Sequence, residues 1–321
     1  MIIEISIFIA SCFILSLLSS KLIKTLTEVA RYLRWREFII AFFVMGFAAS
    51  LPNLFVDLNA ALRGMQQIAF GDIMGGNLVD LSLGMAIAVL LSRKYVSTES
   101  KMVQSTAIFT IIIAFLPWIL ILRTGGLDRL DGVILISSFF AYAFWLFSRD
   151  DRFKKVYENK KLKNITKKST FIWNIIKIIL ILATLLASSY AVVYTAQYFA
   201  STLDVSLGLV GVLIVALGNC FPEIYFGVIS ARKEKNWMVL GDMMASVIVC
   251  ATLVLGIVAL VAPFKITDFS PFFIARIFMV VSCVLYLLFI NSDKKITKKE
   301  GLLLLSVYTI FLLTEIFFPI R

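Results

Sequence analysis

The chain is 321 residues long, 60% hydrophobic and only 16% charged, with a mean hydropathy of +0.95. That balance excludes a soluble globular domain, which needs far more polar surface, and makes lipid the solvent for most of the chain. A net charge of +11 would suit a nucleic-acid binder, but almost all of the charges sit in loops between apolar runs, so no nucleic-acid partner is expected.

In chain order, ten apolar runs approach the length of about 20 residues that a spanning helix needs. They cover roughly 2–20, 37–62, 69–92, 103–123, 130–148, 170–198, 205–231, 237–262, 270–290 and 298–319. The runs are continuous rather than alternating, which predicts helices and not a barrel. The expected fold class is an all-α integral membrane protein with ten transmembrane helices. The start, Met1-Ile2-Ile3-Glu4, lacks the basic leader of a signal peptide, so the first helix is expected to be retained. Cys12, Cys220, Cys250 and Cys283 fall inside the runs, which argues against a disulfide framework. Histidine is absent, which removes the commonest transition-metal ligand and the usual proton shuttle at neutral pH.

With the N-terminus placed outside, 24 of the 31 Lys and Arg residues lie in loops facing the cytoplasm. Six lie on the opposite side and Lys177 lies within a run. This positive-inside signature predicts a multi-pass protein of the cell membrane with both termini extracytoplasmic. The basic excess is topological, with anionic lipid head groups as a secondary role.

The polar stretch 149–169 separates five runs in 1–148 from five in 170–321. An odd number of spans per half places the second half upside down, the inverted-repeat plan of many secondary transporters. Sliding the second half back by 170 residues puts Pro52 on Pro222, Arg63 on Lys233, Gly71 on Gly241, Asp72 on Asp242 and Met74 on Met244. Two inverted five-helix repeats around a basic cytoplasmic loop follow as the expected organisation.

Pro52 and Pro222 lie inside the second and seventh runs, where a proline kinks the helix and frees a carbonyl. Small residues precede each: Gly46, Ala48, Ala49 and Ser50 in one case, Ala216, Gly218 and Cys220 in the other. Asn53 and Glu223 follow the prolines at equivalent places. A mid-membrane glutamate faces a cavity or partner, or serves, protonated, as helix glue. Asp80 and Cys250 form a second equivalent pair, with Gly76 and Ser246 one turn earlier on the same faces. Buried Asp80 and Glu223, one from each half, suit a hard cation held by oxygen ligands. Asp57 either lines the approach to that site or is a wetted residue near a helix end. Asp72 and Asp242, each after a glycine, are expected as N-caps. Lys177 is expected to snorkel to the cytoplasmic interface and Glu315 to reach the outer one.

The repeats read Ala48-Ala49-Ser50-Leu51-Pro52-Asn53 with Gly71-Asp72-Ile73-Met74-Gly75-Gly76-Asn77, and Gly218-Asn219-Cys220-Phe221-Pro222-Glu223 with Gly241-Asp242-Met243-Met244-Ala245-Ser246-Val247. These resemble the alpha-repeats of the sodium/calcium exchanger family, Gly-Thr-Ser-Leu-Pro-Glu followed by Gly-Asn-x-x-Gly-Ser-Asn, over about 45–86 and 215–256. The resemblance implies ten spans in two inverted halves, with cation sites lined by Ser50, Asn53, Asp80, Asn219, Glu223, Ser246 and Cys250. It also implies exchange of sodium ions or protons for calcium, with helices one and six sliding against the others. Asn53 stands where the family has glutamate, Cys250 where an acid or amide is usual, and Asp80 where asparagine is common. Ala49 and Cys220 replace Thr and Ser. The expected function is a secondary active cation antiporter acting by alternating access, with no catalytic residues and no cofactor beyond the transported cations. Its expected partners are the bilayer and those cations, and the sequence fixes no oligomeric state. Two alternatives stay open: a softer divalent cation held with the help of Cys220 and Cys250, and a non-transporting member with a degenerate site. An intramembrane aspartyl protease is excluded, because Asp72 and Asp80 share one helix and residue 69 is alanine.

Overall fold

The structure is a computed structural model that describes residues 1–32, 50–99, 101–148, 168–234, 236–266, 269–292 and 294–317. In the first half, α1 (Ile2–Tyr32) is followed by α2 (Leu51–Leu62), which Gly64 ends with a positive φ of 76°. Helix α3 runs Gln66–Val79, widens into a π-helical turn at Asp80–Gly84 and finishes as Met85–Leu90. Strand β1 (Val96–Ser97), α4 (Lys101–Thr124), β2 (Gly126–Leu127) and α5 (Arg129–Ser148) complete that half.

The second half opens with α6 (Lys168–Leu203). Helix α7 is built of Leu207–Val210, a π turn Gly211–Val215 and Ala216–Asn219, and α8 (Phe221–Arg232) follows it. Helix α9 runs Asn236–Ile248, widens at Val249–Val254 and ends as Leu255–Val261. Strand β3 (Phe264–Lys265), α10 (Ser270–Asn291), β4 (Lys295–Ile296) and α11 (Lys298–Phe317) close the chain.

Among the described residues, eight of these helices are long and apolar enough to cross a bilayer. The pair α7–α8, bent by 41° at its junction, makes a ninth when counted as one broken span. Of the expected span 37–62, α2 is the described part; residues 37–49, with Gly46, Ala48 and Ala49, lie outside the described residues, as does most of the loop 149–169. The exterior is apolar, with Phe13, Phe144 and Trp173 each more than 60% exposed, as lipid contact requires. Spans α3 and α9 are the most enclosed and α1 and α6 the least. At 31 and 36 residues, α1 and α6 are about 46 and 54 Å long, well beyond a hydrocarbon core of about 30 Å. They pack along each other and meet the remaining bundle chiefly through α2, α7 and α8.

The same devices recur in both halves. The twelve-residue helices α2 and α8 each carry proline in their first turn, where its missing N–H costs nothing. Each half has a π turn in its central span, and Ser82 and Thr252 donate their hydroxyls to the carbonyls of Leu78 and Ile248 there. Strand β1 pairs antiparallel with β4, and β2 with β3, so each ladder joins one strand from each half. The 24 residues of α4 rise about 36 Å between β1 and β2, so the ladders sit at opposite ends of the bundle. Thr297 and Glu300 form a capping box ahead of α11, and Asp128 and Asp131 exchange the equivalent backbone bonds ahead of α5.

The Asp128–Asp131 turn also holds Arg123, whose guanidinium donates to Asp131 at 2.7 Å and to Asp128 at 3.0 Å. Hydrogen bonds from the backbone N–H of Asp131 and from nearby groups hold the Asp128 carboxyl below the usual carboxylate range. Asp131→Ala removes the buried half of this knot and is expected to lower the melting temperature of the purified protein by several degrees, read by tryptophan fluorescence. An unchanged melting temperature would show that the corner contributes nothing.

Glycines let α3 and α7 cross closely. A Cβ on Gly71 would fall 2.5 Å from the carbonyl oxygen of Gly208, and one on Gly75 would run into the carbonyl oxygen of Val212. This crossing presses the π-turned segment of α3 against the α7–α8 break, which is where the polar interior lies.

Candidate cation site

The α7–α8 junction supplies half of the site. Cys220 sits between the two helices, Pro222 opens α8, and Glu223 occupies its first turn, 3% exposed. Proline therefore does not kink a continuous helix here; it starts a second one, and the bend falls just before it. Asn53 has the matching place after Pro52 in α2 and is also buried.

The π turns of α3 and α9 supply the rest. Asp80 begins one and Cys250 lies in the other. A π turn lets a side chain project at an angle that an α-helix denies and often marks a functional position. Asp80 is 1% exposed, and its carboxyl interacts with the side chains of Ser246 on α9 and Cys220 at the break. Cys220 points its thiol at the carbonyl of Gly76, 3.7 Å away. The Asn53 amide donates to Cys250 Sγ at 3.3 Å, tying α2 to α9, while its oxygen has no donor among the described residues. Both Glu223 oxygens likewise lack a partner there, and the charged neighbours acting on Glu223 are Asp80, Asp242 and Asp72.

A second group lies against the first. Asn219, the last residue of α7, donates its amide to Asp72 Oδ2 at 2.5 Å, and Asp72 in turn meets Asp57 of α2. Asp57 is fully buried and neither of its oxygens has a donor among the described residues. Two carboxyls in contact need a proton or a cation between them.

Of the seven sequence-predicted residues, all are buried. Asp80 joins Ser246 and Cys220; Asn53 and Cys250 bond to each other; and Asn219 turns to Asp72. Ser50 is buried at the turn that leads into α2. Among the described residues, no three Asp, Glu or Cys side chains close into a ready-made metal cage.

Three expectations are corrected. Asp72 is not an N-cap: α3 begins at Gln66 after the cap residue Met65, because the Gly64 turn lets Ile68, Ala69 and Phe70 enter the helix, and Asp72 lies in its interior. Asp242 likewise lies inside a helix, since α9 begins at Asn236. Glu315, expected at the membrane interface, is 3% exposed and enclosed by protein. The spacing did hold the signal for Asp72, since residues 72, 76 and 80 recur every four and share one helix face.

Asp57, Asp72, Asp80 and Glu223 are all buried, and among the described residues none is paired with a Lys or Arg. A membrane interior tolerates such a concentration of carboxylates only where cations or protons complete it.

An apolar bundle with unneutralised carboxylates at broken and π-turned helices has the build of a membrane ion transporter, not of an enzyme. The sequence model of the sodium/calcium exchanger protein family matches residues 3–148 and 173–317, and the chain belongs to that family. The sodium/calcium exchanger MaX1 of Methanosarcina acetivorans is 23% identical, over 92% of this chain and 93% of its own. The uncharacterized membrane protein MJ0091 of Methanocaldococcus jannaschii is 22% identical over 88% of each chain. The solved structure of the sodium-calcium exchanger NCX_Mj soaked with Na+ and Sr2+ superposes with a TM-score of 0.65 over 98% of each chain. At 21% identity that likeness is one of fold.

Proposed function

We propose that this protein is a secondary cation antiporter that exchanges calcium for sodium or protons at a site between two inverted five-helix halves. The observation that carries the reading is that Asp80 and Glu223, one from each half, are both buried and act on each other electrostatically, with no basic side chain among the described residues paired to either. A hard divalent cation takes carboxylate, amide and hydroxyl oxygens, and Asp80, Glu223, Asn53, Ser50 and Ser246 offer all three kinds. Asp57, Asp72 and Asn219 add negative charge beside the site and offset the glutamate that Asn53 replaces.

Exchange follows from competition. Calcium and its counter-ions bind the same oxygens, so each displaces the other, and the empty site, with its uncompensated charge, is reluctant to change sides. The pair α1–α6, packed on the bundle through few elements, is the part suited to slide while α2, α3, α8 and α9 keep the ligands in place. The recurrence of helix, π turn and strand in each half supports the inverted-repeat reading. The charge bias of the loops supports both termini extracytoplasmic. The relative called a sodium/calcium exchanger favours calcium and sodium as the pair.

Uptake of calcium-45 into proteoliposomes under an imposed sodium gradient, and separately a proton gradient, tests the reading. We expect one of the two to drive accumulation above the no-gradient control, and that one names the counter-ion. A second reading has its own support: the thiol of Cys220 interacts with Asp80, and Cys250 accepts from Asn53. If a softer metal is the cargo, cadmium suppresses calcium-45 uptake at far lower concentration than strontium. Equal suppression removes that reading, and no uptake of any divalent ion leaves a degenerate member.

A further inference from the structure

A groove of about 550 Å³ runs between α2 and α6, away from the carboxylates. Phe55, Leu58 and Leu62 form one wall, and Ala183, Ala187 and Tyr190 form the other. Each set repeats at three- and four-residue spacing, so the groove follows both helices for about two turns, and the two alanines provide its depth. Leu62 is 66% exposed and Tyr190 54%. In a bilayer these faces meet acyl chains and not water.

The polar end is Arg63, the residue that caps α2. Its guanidinium lies 3.6 Å from the centre of the Tyr190 ring, held by a cation–π contact. Among the described residues no carboxylate pairs with it. An apolar trough two turns long that ends in an unpaired guanidinium beside a tyrosine has the polarity of one lipid: a chain along the trough, a phosphate at its head.

We propose that this groove is a binding site for an anionic phospholipid, with one acyl chain between α2 and α6 and the phosphate on Arg63. The groove lies on the seam between α6, of the loosely attached α1–α6 pair, and α2, which carries Asn53 and Asp57. A lipid wedged there therefore touches both parts that must move relative to each other in an alternating-access cycle. The binding itself does not depend on which cation is carried.

Native mass spectrometry of the purified full-length protein tests this, with phosphatidylglycerol or phosphatidylcholine of identical chains added. Wild type is expected to retain phosphatidylglycerol about fivefold over phosphatidylcholine, the gain that one basic residue at an anionic head group provides. Arg63→Gln should erase the preference and Arg63→Lys should restore part of it. Ala187→Trp, filling the trough from a lipid-facing position, should cut retention of both lipids. Equal retention by wild type, or a preference that survives Arg63→Gln, overturns the proposal. So does a dimeric species that Ala187→Trp converts to monomer, since the groove would then hold a second copy of the chain.

Discussion

Changing Asp80 to asparagine is expected to leave a folded protein that no longer binds calcium usefully. The two side chains are nearly isosteric, so the π turn and the packing of α10 and α11 around it are kept, while the anionic ligand from the first half is lost. Removing one partner of a buried charge interaction costs on the order of 2–5 kcal/mol, a loss of roughly 30-fold to several thousand-fold in affinity. The readout is the rise in melting temperature that a ligand binding only the folded state produces. Millimolar calcium should stabilise wild type and leave Asp80→Asn unmoved, with the two melting alike in its absence. An equal calcium shift in both proteins would remove Asp80 from the site.

The second large effect concerns the scaffold. Gly75→Leu is expected to prevent accumulation of folded protein, because a Cβ there already collides with the backbone carbonyl of Val212 and lies 2.8 Å from Ala216 Cβ. Backbone cannot yield as a side-chain tip does, so the cost exceeds the roughly 1–3 kcal/mol of ordinary overpacking. Gly76 next to it is the contrast. Its added Cβ would meet only the Cys220 thiol at an ordinary 3.5 Å, so Gly76→Ser should fold and melt within a few degrees of wild type. Size-exclusion profiles of the two variants check this, and a monodisperse Gly75→Leu would mean that α3 and α7 can separate without loss of the fold.

Much of this was legible in the sequence, for reasons that can be located. Spanning helices announce themselves by length and hydropathy, and so α3 to α6 and α9 to α11 lie close to the runs that predict them, while α1 continues to Tyr32, twelve residues past its run. Pro222 marked the place of the α7–α8 break, but proline alone does not decide it, since Pro117 lies inside the continuous helix α4. Asp80 and Glu223 stood out because a bare carboxylate in lipid is costly. Other features left no such mark. A π turn has no sequence signature, so the placement of Asp80 and Cys250 in such turns became visible only in the structure. The Gly-Asp pair at 71–72 looked like a helix start, and only the turn at Gly64 shows that the helix had begun earlier. Asp57 and Asp72 lie fifteen residues apart on different helices, so their contact depends on the α2–α3 hairpin and not on any local spacing. The groove beneath Arg63 likewise comes from two distant helices with small residues facing large ones.

The most direct test of the central claim compares wild type with Glu223→Gln in counter-ion-driven calcium-45 uptake into proteoliposomes, at matched protein incorporation. Uptake by wild type that falls to the empty-vesicle level in Glu223→Gln is the predicted result, because it ties exchange to the carboxylate at the α7–α8 break. Undiminished uptake by Glu223→Gln would contradict the account and place the transported cation somewhere other than this site.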